Sequence, residues 1–172
     1  MSNIELVFPE IFISLSIMFL LILGVFKKNS SKIIQNLSLL ILLITAVITF
    51  NETLSVKQIT LFNESVIIDY LSSFMKIVTL LAAFVVLLIS PNYLRTFKIF
   101  KIEYPILILS SVLGMMIMIS SNDLIVFYMG LELQSLALYV LATFDRDKLK
   151  SSEAGLKYFV LSALSSGLLL YG

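Results

Sequence analysis

The chain has 172 residues, 59% of them hydrophobic and 13% charged, with a net charge of +1, whereas soluble domains carry about 25% charged residues. Its mean hydropathy of +1.05 reflects apolar runs along the whole length, too many for one soluble core, and no basic patch interleaves with aromatics as a nucleic-acid surface would. The absence of Cys and His excludes disulfides, thiol nucleophiles, Cys/His zinc sites, His-ligated haem and Ser-His-Asp arrangements, leaving carboxylates, lysines and hydroxyls to carry any chemistry.

Residues 1–10 (MSNIELVFPE) hold two acids and no base, unlike a signal or transit peptide. The expectation is insertion where the chain is made, in a bacterium or from an organelle genome. The abundance of Ile, Phe, Lys and Asn fits an AT-rich genome and favours an organelle. A membrane-crossing helix needs about 20 mostly apolar residues, and six segments approach this length. The fold class is therefore all-α transmembrane, a six-helix bundle with helices near 9–26, 33–50, 70–90, 104–120, 123–144 and 151–172.

The first span opens at Pro9, suited to the first helical turn, and is followed by Lys27, Lys28 and Lys32. After the second, residues 51–69 carry Glu52, Lys57, Glu64 and Asp69. There Leu54 and Val56, then Ile59 and Leu61, alternate with polar neighbours, as in a short β-hairpin. Pro91 is read as the stop of the third span, and Arg95, Lys98 and Lys101 follow it. The fourth opens with Pro105 and turns tightly at Asp123. The fifth is followed by Arg146, Lys148 and Lys150. The sixth starts near Ser151, read as its N-cap, with Glu153 in the first turn. By the positive-inside rule the loops after spans one, three and five face the cytoplasm or matrix, placing the N-terminus outside.

Ionisable groups inside a membrane are costly, so each is a functional candidate weighed against a structural one. Glu132 lies roughly 15 Å from either end of the fifth span, too deep to reach water. Tyr128, Ser135 and Tyr139 stand at i−4, i+3 and i+7 from it, giving the helix one polar face. A carboxylate there must be paired, hydrated or protonated; the structural alternative is an interhelical hydrogen bond. Lys157 lies about 9 Å into the sixth span. Two readings stay open for it: a snorkelling lysine paired with Glu153 four residues earlier, or a desolvated lysine that loads and releases a proton. Lys76, about 10 Å from the outer end of the third span, is read as structural, its side chain reaching water. Glu10 and Asp123 are read as caps at helix N-termini. Ser162, Ala163, Ser166 and Gly167 suit close packing of the sixth helix. No metal-ligand spacing or glycine-rich phosphate loop is present.

The run from Ser121 to Gly172, which includes GLELQSLALYVL and SSEAGLKYFVLSALSSGLLLYG, closely resembles subunit 2 of respiratory complex I. These two pieces place Glu132 and Lys157 at the positions of the family's buried fifth-helix glutamate and sixth-helix lysine. Residues 1–120 fit in span number and polarity but offer little distinctive sequence. The resemblance implies the front part of an antiporter-like fold with inverted helix repeats and broken helices. It also implies a role in proton translocation coupled to electron transfer from NADH to ubiquinone. Glu132 and Lys157 would be the translocation residues, with Glu153, Tyr128, Ser135 and Lys76 as auxiliaries. NADH, FMN, iron–sulfur clusters and ubiquinone would be bound elsewhere in the complex, and no cofactor or metal by this chain.

The family's seventh and eighth helices and its second repeat lie beyond Gly172. The expected partners are therefore a complementary chain supplying those helices, other membrane-arm subunits and the lipid bilayer, with no nucleic acid. The expected location is the mitochondrial inner membrane with the N-terminus on the intermembrane-space side, or alternatively a bacterial plasma membrane. Two other readings stay open: a membrane-arm subunit without its own proton path, and a fragment of a cation/proton antiporter.

Overall fold

The computed structural model describes residues 5–26, 31–55, 58–97 and 99–172. Lys27 and Lys28 of the first basic loop, Val56 and Lys57 of the outer segment, and Lys98 lie outside the described residues. A 3-10 turn, Glu5–Val7, leads into α1 (Phe8–Phe26), followed by α2 (Ser31–Ser55), β1 (Ile59–Leu61), β2 (Val66–Ile68), α3 (Tyr70–Thr96), α4 (Glu103–Ile119), α5 (Leu124–Ala142) and α6 (Leu149–Tyr171). The six helices and the hairpin expected from the sequence are present. Helices α1, α3, α5 and α6, and α2 from Ser31 to Glu52, are long and apolar enough to cross a membrane, while apolar α4 has only 17 residues.

Several boundaries differ from the sequence reading, each for a local reason. The second helix continues to Ser55, so Leu54 is helical rather than part of the hairpin; a helix leaving a bilayer satisfies its own backbone groups. Pro91 lies inside α3, which runs on to Thr96. Proline lacks the N–H that would bond the carbonyl four residues back, here that of Leu87, and the Gln35 side chain of α2 donates Nε2–H to that carbonyl instead. At α6 the N-cap position is Lys148, without a side-chain cap. Ser151 instead donates its hydroxyl to the Ala142 carbonyl at 2.9 Å.

The bundle is centred on α4, which touches α1, α2, α3 and α5. Ile13, Leu20, Ile34, Leu42, Leu80, Leu87, Leu109 and Met116 form its fully enclosed core. Two glycines set the closest crossing. A Cβ on Gly114 of α4 would lie 2.6 Å from the Gln134 backbone nitrogen and 2.8 Å from the Gly130 carbonyl. One on Gly130 of α5 would lie 2.8 Å from the Met118 nitrogen. Backbone therefore meets backbone here, as small residues permit. Of the small residues expected to pack on α6, Ser162 bonds Tyr139 of α5 and Ser166 is buried, while none of the described residues lies within 4 Å of a Cβ built at Gly167.

The hairpin closes one end. Ile59 pairs with Ile68 and Leu61 with Val66, and Phe62, Asn63 and Glu64 turn the chain with positive φ. Its edge is covered by the α4–α5 turn. Ile67 N–H donates to the Ser120 carbonyl at 2.8 Å, and Asn122 donates its side-chain amide to the Glu64 carbonyl at 2.6 Å. At the opposite end lie the basic segments. Lys101 sits 5.7 Å from the Phe144 ring, and Lys148 lies 5.9 Å from that of Phe97. Asp145 bonds Lys148 at 2.7 Å and holds that exposed ammonium above the ordinary lysine pKa.

Candidate functional site

Helix α5 positions Glu132. Asp123 caps the helix, its carboxylate accepting from Ile125 N–H at 3.1 Å, and the Gly114–Gly130 crossing fixes it against α4. Glu132 is then eight residues in from the first and ten from the last, about 12 and 15 Å by helical rise. Its side chain is partly buried. The Oε1 oxygen is buried without a hydrogen-bond partner, and no Lys or Arg of the described residues lies within ion-pair distance of it. Ser135 is buried but turns back on its own helix, donating to the Leu131 carbonyl at 2.6 Å and not to the Glu132 carboxylate. Tyr128 is partly buried one turn before Glu132.

Lys157 is not brought to Glu132. It bonds Glu153 at 2.6 Å, with side chains 68% and 54% exposed, a geometry that contributes about 0–1 kcal/mol in water. Tyr139 is one of the side chains that join the two helices. Its hydroxyl bonds that of Ser162, and its ring packs edge-on against Tyr158 and Phe159 at 5.0 and 5.5 Å.

Lys76 departs furthest from its sequence reading. It does not reach water: Nζ lies 2.5 Å from Glu10 Oε1, the side chains 3% and 9% exposed. Glu10 is in the first turn of α1, as the sequence suggests, and is also an ion-pair partner across the bundle. Glu52 of α2 lies within electrostatic range of both. A cavity of about 340 Å³ adjoins the pair, lined by Ser14, Ile11, Val66, Leu113 and Ser120 among others. The sequence held only part of the signal for this pairing, the related depths of the two groups. Helices α1 and α3 start at the same end of an alternating bundle, which puts Glu10 and Lys76 at related depths of about 3 and 9 Å.

Comparisons with known proteins match the C-terminal segment to a family and nearly the whole chain to individual relatives. The family described as NADH:quinone oxidoreductase/Mrp antiporter, TM, matches residues 121–172. NADH-quinone oxidoreductase subunit N of Pelagibacter ubique is 69% identical over 172 residues, covering all of this chain and 36% of that protein. Subunit N of Maricaulis maris is 49% identical over 172 residues, 99% of this chain and 35% of that protein. A chain of respiratory complex I from Thermus thermophilus superposes with a TM-score of 0.78 at 25% identity, over 95% of this chain and 35% of its own length. The chain is homologous to the N-terminal part of NADH-quinone oxidoreductase subunit N. It spans about a third of the length of the curated subunit N relatives it matches. Both Glu132 and Lys157 fall within the matched stretch 121–172, whereas the Glu10–Lys76 pair lies outside it but inside the full-length similarity to subunit N.

Proposed function

We propose that this chain forms the N-terminal part of a proton-translocating subunit in the membrane arm of an NADH:quinone oxidoreductase. Multi-pass apolar helices place it in a membrane. Its named relatives are bacterial, which favours a bacterial cytoplasmic membrane over the mitochondrial inner membrane. The observation that carries the reading is the mid-span carboxylate of Glu132, with one oxygen buried and unpartnered, in the segment that matches the family. An intramembrane acid of this kind is stable when it is protonated or meets a cation. A basic side chain on a neighbouring helix outside these residues completes the pair, and proton movement then follows the making and breaking of that contact. The cofactors for electron transfer reside on other subunits, and other membrane-arm subunits are the partners of the exposed helix faces. Lys157 has a secondary role, held ready by Glu153 at the start of α6.

A second reading has its own support. Because Lys157 is paired with Glu153 at the surface, the chain can serve as a membrane-arm support without a proton path. The two separate on one measurement. In vesicles containing the assembled complex, Glu132→Gln preserves size and hydrogen bonding but removes the titrating group. Proton uptake per NADH oxidised should fall sharply while assembly stays normal. An unchanged ratio assigns Glu132 to structure and makes the supporting role the better account.

A further inference from the structure

A second site of different chemistry lies at the basic end of the bundle, between the start of α2 and the last turns of α3. It begins with Pro91. Because Pro91 has no N–H for the Leu87 carbonyl, Gln35 supplies one through Nε2. Only the amide NH2 can face a carbonyl, so the side chain orientation is fixed. Its Oε1 is thereby left buried without a partner, on a residue 4% exposed. Gln35 lines a cleft of about 330 Å³ together with Lys32, Asn36, Leu88, Pro91 and Arg95 among others. No carboxylate of the described residues lies within ion-pair distance of Lys32 or Arg95. The Arg95 guanidinium lies 5.0 Å from the Phe100 ring centre, a contact that leaves its N–H groups free to donate. Leu88 of the cleft lining is 50% exposed, and Leu40 and Ile89, next in sequence to the lining residues Leu39 and Leu88, are 54% and 68% exposed.

We propose that this cleft binds the headgroup of an anionic, hydroxyl-bearing phospholipid of the phosphatidylglycerol type. The two cations require an anion, and a phosphodiester matches the arginine fork. The buried Gln35 oxygen requires a donor, which a glycerol hydroxyl supplies and a choline does not. The exposed apolar side chains continue the site as a bed for acyl chains. A basic pocket between helices at the membrane surface is where lipid phosphate binds most readily, each nearby cation adding to the attraction.

The test is photolabelling of the full chain in its membrane by phosphatidylglycerol with a photoactivatable acyl chain. Labelled peptides should fall within 32–40 and 84–95, and a phosphatidylcholine probe should label them far less. The double variant Lys32→Gln/Arg95→Gln should lose labelling about tenfold or more, and Lys32→Arg/Arg95→Lys should retain it. Phosphatidylmethanol, an anionic phosphodiester without head hydroxyls, should bind the unaltered chain more weakly than phosphatidylglycerol. Gln35→Leu should remove that preference. Equal labelling by the phosphatidylcholine probe, or undiminished labelling of the charge-neutral double variant, overturns the proposal. So does displacement of the label by inorganic phosphate, which marks a soluble-anion site. If the double variant does not insert, the comparison of lipid probes on the unaltered chain decides alone.

Discussion

Glu10 and Lys76 show how a single residue's surroundings decide its meaning. Removing either charge from water costs several kcal/mol, and their attraction offsets this only while both are present. Lys76→Met strands Glu10 between α1 and α3 and should destabilise the bundle by about 3–5 kcal/mol. Glu10→Gln together with Lys76→Met leaves two neutral side chains and should recover most of that loss. Unfolding in mixed detergent micelles, compared across the two single variants and the double, measures the coupling. Additive losses would show that the pair contributes nothing as a pair. In the sequence Lys76 is visible as a charge in an apolar run, and hydropathy predicts that its long stem carries the ammonium to water. The structure ends that option by packing α1 and α4 over it, a tertiary fact that no local pattern encodes. What the sequence made legible for Glu132 is its depth along the helix, and one of its carboxylate oxygens is buried. Helical spacing placed Ser135 one turn from Glu132, but spacing does not decide where a serine hydroxyl points, and here it donates to the carbonyl one turn back.

At the scale of elements, proline and glutamine on different helices act together. Taken alone, Pro91 reads as the end of a span, because a helix interior loses a hydrogen bond there and clashes with the preceding turn. The third helix continues to Thr96 because the orphaned Leu87 carbonyl is satisfied from α2. Two substitutions should therefore be strongly non-additive. Gln35→Leu leaves the Leu87 carbonyl buried and unpartnered and should cost about 1–3 kcal/mol. In a Pro91→Ala background the restored N–H at residue 91 can serve that carbonyl, and the same Gln35→Leu change should cost much less. Equal costs in the two backgrounds, read from the same micelle unfolding, would break the link. Hydrophobic runs made the helices themselves legible, and alternation at Ile59 and Leu61 made the hairpin so. Its true partner strand, Val66–Ile68, and the α4–α5 turn that covers its edge depend on contacts distant in sequence. The Gly114–Gly130 crossing was equally hidden, since two glycines on separate helices carry no shared spacing.

For the molecule as a whole, charge is sorted between two ends. One end gathers Lys32, Arg95, Lys101, Arg146, Lys148 and Lys150, which outnumber Glu103, Asp145 and Asp147 there; Lys101 lies against Phe144 and Lys148 against Phe97. The other holds Glu64, Asp69 and Asp123 around the hairpin, with Glu10 and Glu52 just inside it. Short basic loops are retained on the side of synthesis, so the basic end should face the cytoplasm and the hairpin the outside. Residues 31–32, 95–101 and 145–150 would then share one aqueous compartment with the phospholipid cleft. A chain without any native cysteine permits a direct check by single substitutions. Gln58→Cys, in the exposed approach to the hairpin, should react with a membrane-impermeant maleimide on intact cells. Asp147→Cys, in the exposed turn before α6, should react only after the membrane is opened. Both residues are exposed and outside the helices, so neither substitution should disturb the packed bundle. Labelling of Asp147→Cys in intact cells would reverse the orientation, put the basic cleft on the outer leaflet, and turn Glu10 and Lys76 toward the cytoplasm.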